Sequence, residues 1–129
     1  MAVRLFSPEG MAQPVPYHHV AVGTGTRQVH VSGQVGGADG GLAAQTAQAL
    51  RNTARGLAGA GAGMADVVRL TFYVAGWRPE QMAELMEGVE RAAGELGMAL
   101  PLPPASLIGV ESLFEPGVLV EVEATAVLD

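Results

Sequence analysis

A continuous β-branched and aromatic segment, Asp66-Val67-Val68-Arg69-Leu70-Thr71-Phe72-Tyr73-Val74, lies between two stretches with helical spacing. That arrangement constrains the fold more than any other feature. A strand apolar along most of its length must be covered by other elements, and the flanking helices are the nearest cover. The stretch before it, Ala43–Ala60, is rich in helix formers and places Ala47, Leu50, Ala54 and Leu57 three and four residues apart. Gly59, Gly61 and Gly63 end it. The stretch after it runs from Pro79 to Leu96. Met82, Leu85, Met86 and Val89 make an apolar stripe there, while Glu80, Glu84, Glu87 and Glu90 make an acidic face directed at solvent.

Shorter strands fill the rest. Val20 and Val22, then Val29 and Val31, alternate around Gly23-Thr24-Gly25-Thr26, and the pattern predicts a β-hairpin. An extra strand is expected at Arg4-Leu5-Phe6. Gln34–Leu42, with four Gly in nine residues, reads as a loop. Ser106–Val110 and Val118–Val127 complete the set, separated by Glu115-Pro116-Gly117. The order β-β-α-β-α-β-β mixes hairpins with crossovers, which predicts an α+β fold: one mixed sheet with two helices on one face. At 129 residues the whole chain, 1–129, is expected to be one domain.

Composition closes several functional classes. There is no Cys, and all seven basic residues are Arg. Disulfides, thiolate ligands, cysteine nucleophiles and lysine Schiff bases are therefore excluded. A net charge of -6 argues against nucleic acid as a partner, because phosphate tracking needs clustered positive charge. The opening MAVRLFSPEG has no continuous apolar core of a signal peptide, and no run of 18 apolar residues offers a membrane span. With only 16% charged residues, part of the apolar surface is expected to serve a subunit interface. A cytoplasmic oligomer is the expectation.

Three groups of residues are candidates for chemistry. His18, His19 and His30 have no acidic partner at metal-ligand spacing, so no metal site is expected. The Gly33–Gly41 loop matches neither phosphate-binding fingerprint and lacks the lysine such a loop employs. Glu121 and Glu123, one face of the last strand, are two carboxylates in an otherwise apolar segment. They read either as exposed edge charges or as a carboxylate placed in a pocket to act as general base.

Pro16-Tyr17, Val31-Ser32-Gly33-Gln34, Gln45, Leu50, Asn52, Asp66-Val67-Val68-Arg69, Pro104-Ala105-Ser106 and Val120-Glu121-Val122-Glu123-Ala124-Thr125-Ala126 follow one another in an order that resembles the RidA/YjgF family, also called L-PSP endoribonucleases. The resemblance spans about Pro16 to Val127. It implies a chorismate-mutase-like protomer, a homotrimer, and small-molecule clefts at the subunit interfaces. It also implies hydrolysis of 2-imino or enamine acids to 2-oxo acids and ammonia, with no metal or organic cofactor. Tyr17, Ser32 and Glu121 match the family's catalytic positions. Ala105, Ser106 and Leu107 match its substrate-binding stretch, but the Arg that clamps the substrate carboxylate is replaced by Ala105. The family's Asn in the second helix corresponds to Glu84. The loss of the Arg removes a charged hydrogen-bonding partner worth roughly 1.5–3 kcal/mol and turns that wall apolar. Two further readings follow: a ligand-binding or regulatory trimer without catalysis, and an enzyme for a non-carboxylate substrate. Arg27, Arg69 and Arg78, near strand ends, are the candidates to replace the lost clamp.

Overall fold

The computed structural model describes residues 2–129. The elements are β1 (Val3–Phe6), β2 (Val20–Gly23), β3 (Arg27–Val35), α1 (Leu42–Gly59), β4 (Val67–Ala75), α2 (Met82–Leu96), β5 (Ala105–Val110) and β6 (Val120–Leu128). Short 3-10 turns at Met64–Asp66 and Pro79–Gln81 lead into β4 and α2. The main sheet has the order β3-β6-β4-β5. Its β3–β6 and β4–β6 pairs are antiparallel, and β4–β5 is parallel. Parallel neighbours need a crossover, and α2 supplies it.

Both helices pack on one face of this sheet. Leu42, Leu50 and Leu57 of α1 and Leu85 and Val89 of α2 join Leu70, Phe72, Val74, Val120 and Val122 in one core. Buried Gln45, 1% exposed, pins α1 to the chain entering β6: it donates to the Gly40 and Gly117 carbonyls and accepts from Leu119 N–H. Among the described residues no helix is long and apolar enough to cross a membrane.

One expectation is corrected. The hairpin does not form: β2 pairs with β1 in a separate two-stranded ribbon, extended by the hydrogen bond from Thr24 N–H to the Ala2 carbonyl. β3 instead runs along β6, pairing from Arg27 opposite Leu128 to Val35 opposite Glu121. A nine-residue strand finds a nine-residue partner there, whereas the four residues of β2 would have left half of its ladder unpaired. The glycines that suggested a turn serve close approach. A Cβ at Gly25 would lie 2.2 Å from the Leu128 carbonyl oxygen.

Glu84 is exposed, as its place on the acidic face predicts, and has a further role: its Oε2 accepts from Leu42 N–H at 2.8 Å and Ala43 N–H at 3.4 Å. The residue at the N-cap of α1 is Gly41, which brings no side chain to the helix's unpaired N–H groups. A carboxylate from the neighbouring helix fills that role, at the positive end of the helix dipole.

Candidate functional site

Strand alternation divides the sheet into a core face and an open face. Val120, Val122, Ala124 and Ala126 of β6 are buried, while Glu121, Glu123 and Thr125 are half-buried on the other side. In β4 the register sets Arg69 opposite Thr125, Thr71 opposite Glu123 and Tyr73 opposite Glu121. The open face is therefore polar although the strands carrying it are largely apolar.

A cavity of about 410 Å³ opens on this face, lined by His30, Ser32, Arg69, Thr71, Glu123 and Thr125. The Tyr73 hydroxyl donates to Glu123 Oε1 at 2.6 Å, and Arg69 donates to Ser106 Oγ. The hydrogen bond to Glu123 raises the Tyr73 pKa above the usual phenol value. Desolvation and the charges of Glu123 and Glu121 add to it, and Arg69 opposes. Tyr73 thus stays a hydroxyl donor through the neutral range.

Glu121 stands beside this cavity, over the strand bulge. The β3–β6 register slips between Val31 and Gln34, so Ser32 and Gly33 are the bulged residues. A Cβ added at Gly33 would lie 2.1 Å from Glu121 Oε2. The carboxylate therefore rests directly on the Gly33 backbone, in space that only glycine leaves open, next to Ser32. This contact between residues 88 positions apart brings Glu121 and Ser32 to one place.

Tyr17, Ala105, Ser106 and Leu107 gather elsewhere. They line a second cavity of about 120 Å³, whose far wall is Met82, Leu85 and Met86 of α2. Tyr17 is fixed there by main-chain pairing: Leu102 N–H donates to the Pro16 carbonyl at 2.9 Å, and His18 N–H donates to the Leu102 carbonyl at 2.7 Å. The Tyr17 ring also meets the His19 ring at 5.2 Å between centroids, and His19 is held by Ser7. Apart from Tyr17 and Ser106, whose Oγ is engaged by Arg69, the lining residues are apolar, and Ala105 contributes nothing charged.

Ser32 lies on the β3 edge and Glu121 on the adjoining inner strand β6, while Tyr17 and Ala105 lie at the β5 edge. β5 is three strand spacings, about 14 Å, from β3 and two, about 10 Å, from β6. One protomer does not bring the two groups together. Of the three arginines named as substitutes for the clamp, Arg27 is engaged with the Asp129 carbonyl and Arg78 faces solvent beside Glu80. Only Arg69 reaches a cavity. Trp77 packs its Cβ against Gly109. Among the described residues no group of three His, Asp or Glu side chains is placed to hold a metal ion. Thr71 and Tyr73 were missed from the sequence. The period-2 pattern Arg69, Thr71, Tyr73 within the apolar strand was the signal that places them on one face.

Comparison with known proteins agrees with this architecture. The family model described as Endoribonuclease L-PSP matches residues 10–128. No curated protein matches the chain. Among solved structures, the Rid-family protein YyfB of Yersinia pestis, of unknown function, is 37% identical with a TM-score of 0.83, over 99% of this chain and 100% of that one. Rv2704 of Mycobacterium tuberculosis, from the YjgF/YER057c/UK114 family, is 34% identical with a TM-score of 0.65, over 98% and 99%. The Escherichia coli YjgF product is 26% identical with a TM-score of 0.67, over 79% and 81%. A family match along nearly the whole chain, the helix-covered mixed sheet and relatives above 30% identity lead to one conclusion: the chain belongs to the L-PSP, or Rid/YjgF, family.

Proposed function

We propose that the protein works as a homotrimer whose small-molecule clefts lie between protomers and hydrolyse an imine or enamine intermediate. The observation that carries this reading is the division of the family-matched residues between the β3–β6 side and the β5 edge of the sheet. Each protomer holds two half-sites. The Glu121–Ser32 half of one copy and the Tyr17–Ala105 half of its neighbour make a whole cleft when the two edges meet.

In that cleft Glu121 takes a proton from water as the water oxygen adds to the C=N carbon. That proton passes to the nitrogen, giving a carbinolamine. Glu121 then takes the hydroxyl proton and delivers it to the nitrogen as the C–N bond breaks, so ammonia leaves and a carbonyl product remains. Ser32 and Tyr17 donate hydrogen bonds that orient the substrate. The test is ammonia release from freshly generated 2-aminoacrylate. Glu121→Gln keeps the shape and removes the base, so kcat/KM falls by about 10²- to 10⁴-fold. Equal rates for the two proteins dispose of the role.

A second reading rests on the apolar wall at Ala105. The 120 Å³ cavity offers no cation among its lining residues, which suits an uncharged group at the place where relatives with the Arg would hold a carboxylate. Turnover of an uncharged imine at a higher kcat/KM than 2-aminoacrylate is the outcome that favours it. The nuclease in the family's description fits this chain poorly, since a net charge of -6 without any Lys repels RNA.

A further inference from the structure

Tyr17 lies near the end of a chain excursion between β1 and β2, and two residues at the base of that excursion fix its ring. β1 and β2 pair from Val3 opposite Gly23 to Phe6 opposite Val20, and the same register continued sets Ser7 opposite His19. There a side chain takes over from the ladder. His19 N–H donates to Ser7 Oγ at 3.1 Å, and that oxygen also lies 3.1 Å from His19 Nδ1. The two contacts close a loop over residues 8–18, most of which are exposed. The Tyr17 main chain is held from the other side, by the bridge to Leu102. A main-chain bridge does not by itself fix the ring. The ring meets that of His19, two residues along the chain, at 5.2 Å between centroids and 58° between planes. Rings at that distance and tilt attract each other, so the imidazole restrains the angle of the phenol. Ser7, Tyr17 and His19 are all half-buried. The family resemblance does not run through Ser7 or His19, and Ser7 lies ahead of the matched residues 10–128.

We propose that His19, held by Ser7, is a positioning residue that aims the Tyr17 hydroxyl into the cleft. The assignment rests on the cleft reading, in which that hydroxyl orients the substrate. Ser7 Oγ already accepts from the His19 main chain, and its own hydrogen goes to Nδ1, so the ring proton sits on Nε2. One hydroxyl thereby holds the imidazole through both its main chain and its ring. The Tyr17 hydroxyl is at the far end of the phenol from its pivot, so a small change of ring angle carries it away from the substrate. A displacement of about 1 Å costs up to about 100-fold in rate. Ser7 and His19 act through Tyr17 rather than on the substrate.

The test is a double-mutant cycle on ammonia release from 2-aminoacrylate, joined to the ring resonances of Tyr17 in the full-length, isotope-labelled protein. Ser7→Ala and His19→Leu should each lower kcat/KM by about tenfold when Tyr17 is intact. On the residual rate of Tyr17→Phe, which keeps the ring and lacks the hydroxyl, the same changes should cost less than about twofold. The Tyr17 ring resonances should move in Ser7→Ala. They should return in Ser7→Thr, which keeps a hydroxyl and should keep at least about half of the activity. A clasp that only stabilises the loop costs the same factor in both backgrounds, and that result overturns the proposal. Tyr17 resonances unmoved in folded Ser7→Ala protein overturn it too. A wild type that releases no ammonia removes the hydrolase reading alone; Tyr17 resonances that move in Ser7→Ala and return in Ser7→Thr still assign the ring's placement to Ser7 and His19.

Discussion

At the scale of single residues, two glycines three positions apart show how one substitution separates the site from the fold. A Cβ at Gly33 meets Glu121 Oε2 at 2.1 Å and its Cδ at 2.5 Å, atoms at the far end of a flexible side chain. A Cβ at Gly36 meets the Gln45 carbonyl oxygen at 2.4 Å, a main-chain atom inside α1. Gly33→Ala therefore displaces the carboxylate and leaves the backbone in place. Its stability should change by less than about 1 kcal/mol, while ammonia release falls by about 100-fold, the cost of moving a catalytic group by about 1 Å. Gly36→Ala forces the chain leaving β3 away from the helix and should lower unfolding stability by about 1–3 kcal/mol. Urea unfolding alongside the activity assay checks both. The proximity of Ser32 to Glu121 was not legible in the sequence, because it depends on a bulge at Ser32-Gly33 and on pairing between β3 and β6, which are far apart in the chain. That Glu121 is an unusual charge on the outward side of an apolar strand was legible, because alternation alone decides it.

Among the elements, what could be read from the sequence was what local spacing decides. α1 is expected at Ala43–Ala60 and lies at Leu42–Gly59; α2 is expected at Pro79–Leu96 and begins as a 3-10 turn at Pro79–Gln81. The partners of the strands were less legible. β2 and β3 carry turn residues between them yet separate, because a nine-residue ladder with β6 outweighs a four-residue hairpin. Charges that act across elements are hidden for the same reason. Glu84 reads as one member of an acidic helix face, but it caps the N–H groups of Leu42 and Ala43 in another helix. Glu84→Ala removes that acceptor, and the Gly41 N-cap has no side chain to replace it. The expected cost is about 1 kcal/mol of stability, the ordinary worth of a helix cap. Glu84→Gln keeps an acceptor without the charge and should lose less. The result to check is thermal unfolding in which the alanine variant melts below the glutamine variant; identical melting of all three proteins refutes the cap.

For the whole molecule, the question is why a sheet would leave a polar face and two half-sites uncovered. The helices cover only the core side, and the other side carries Glu121, Glu123, Arg69 and Tyr73 on the two central strands. In the proposed homotrimer a second copy packs against that side and its edges, which accounts for both features together. On that proposal Tyr17 at the β5 edge and Glu121 on the inner strand β6, matched to one catalytic set, belong to clefts completed by a neighbour. The prediction is complementation. Tyr17→Phe and Glu121→Gln each spoil one half of every cleft, so homotrimers of either variant should be nearly inactive. Unfolded together and refolded as a mixture, they assemble some clefts from an intact Glu121 edge and an intact Tyr17 edge. Light scattering should give close to three times the 13.2 kDa chain mass for every sample. Ammonia release should return in the mixture alone, to a sizeable fraction of the wild-type rate, because intact clefts form by chance pairing. A trimer whose mixture stays as inactive as its parents places both residues in one protomer's site, and a monomeric mass removes the shared cleft itself.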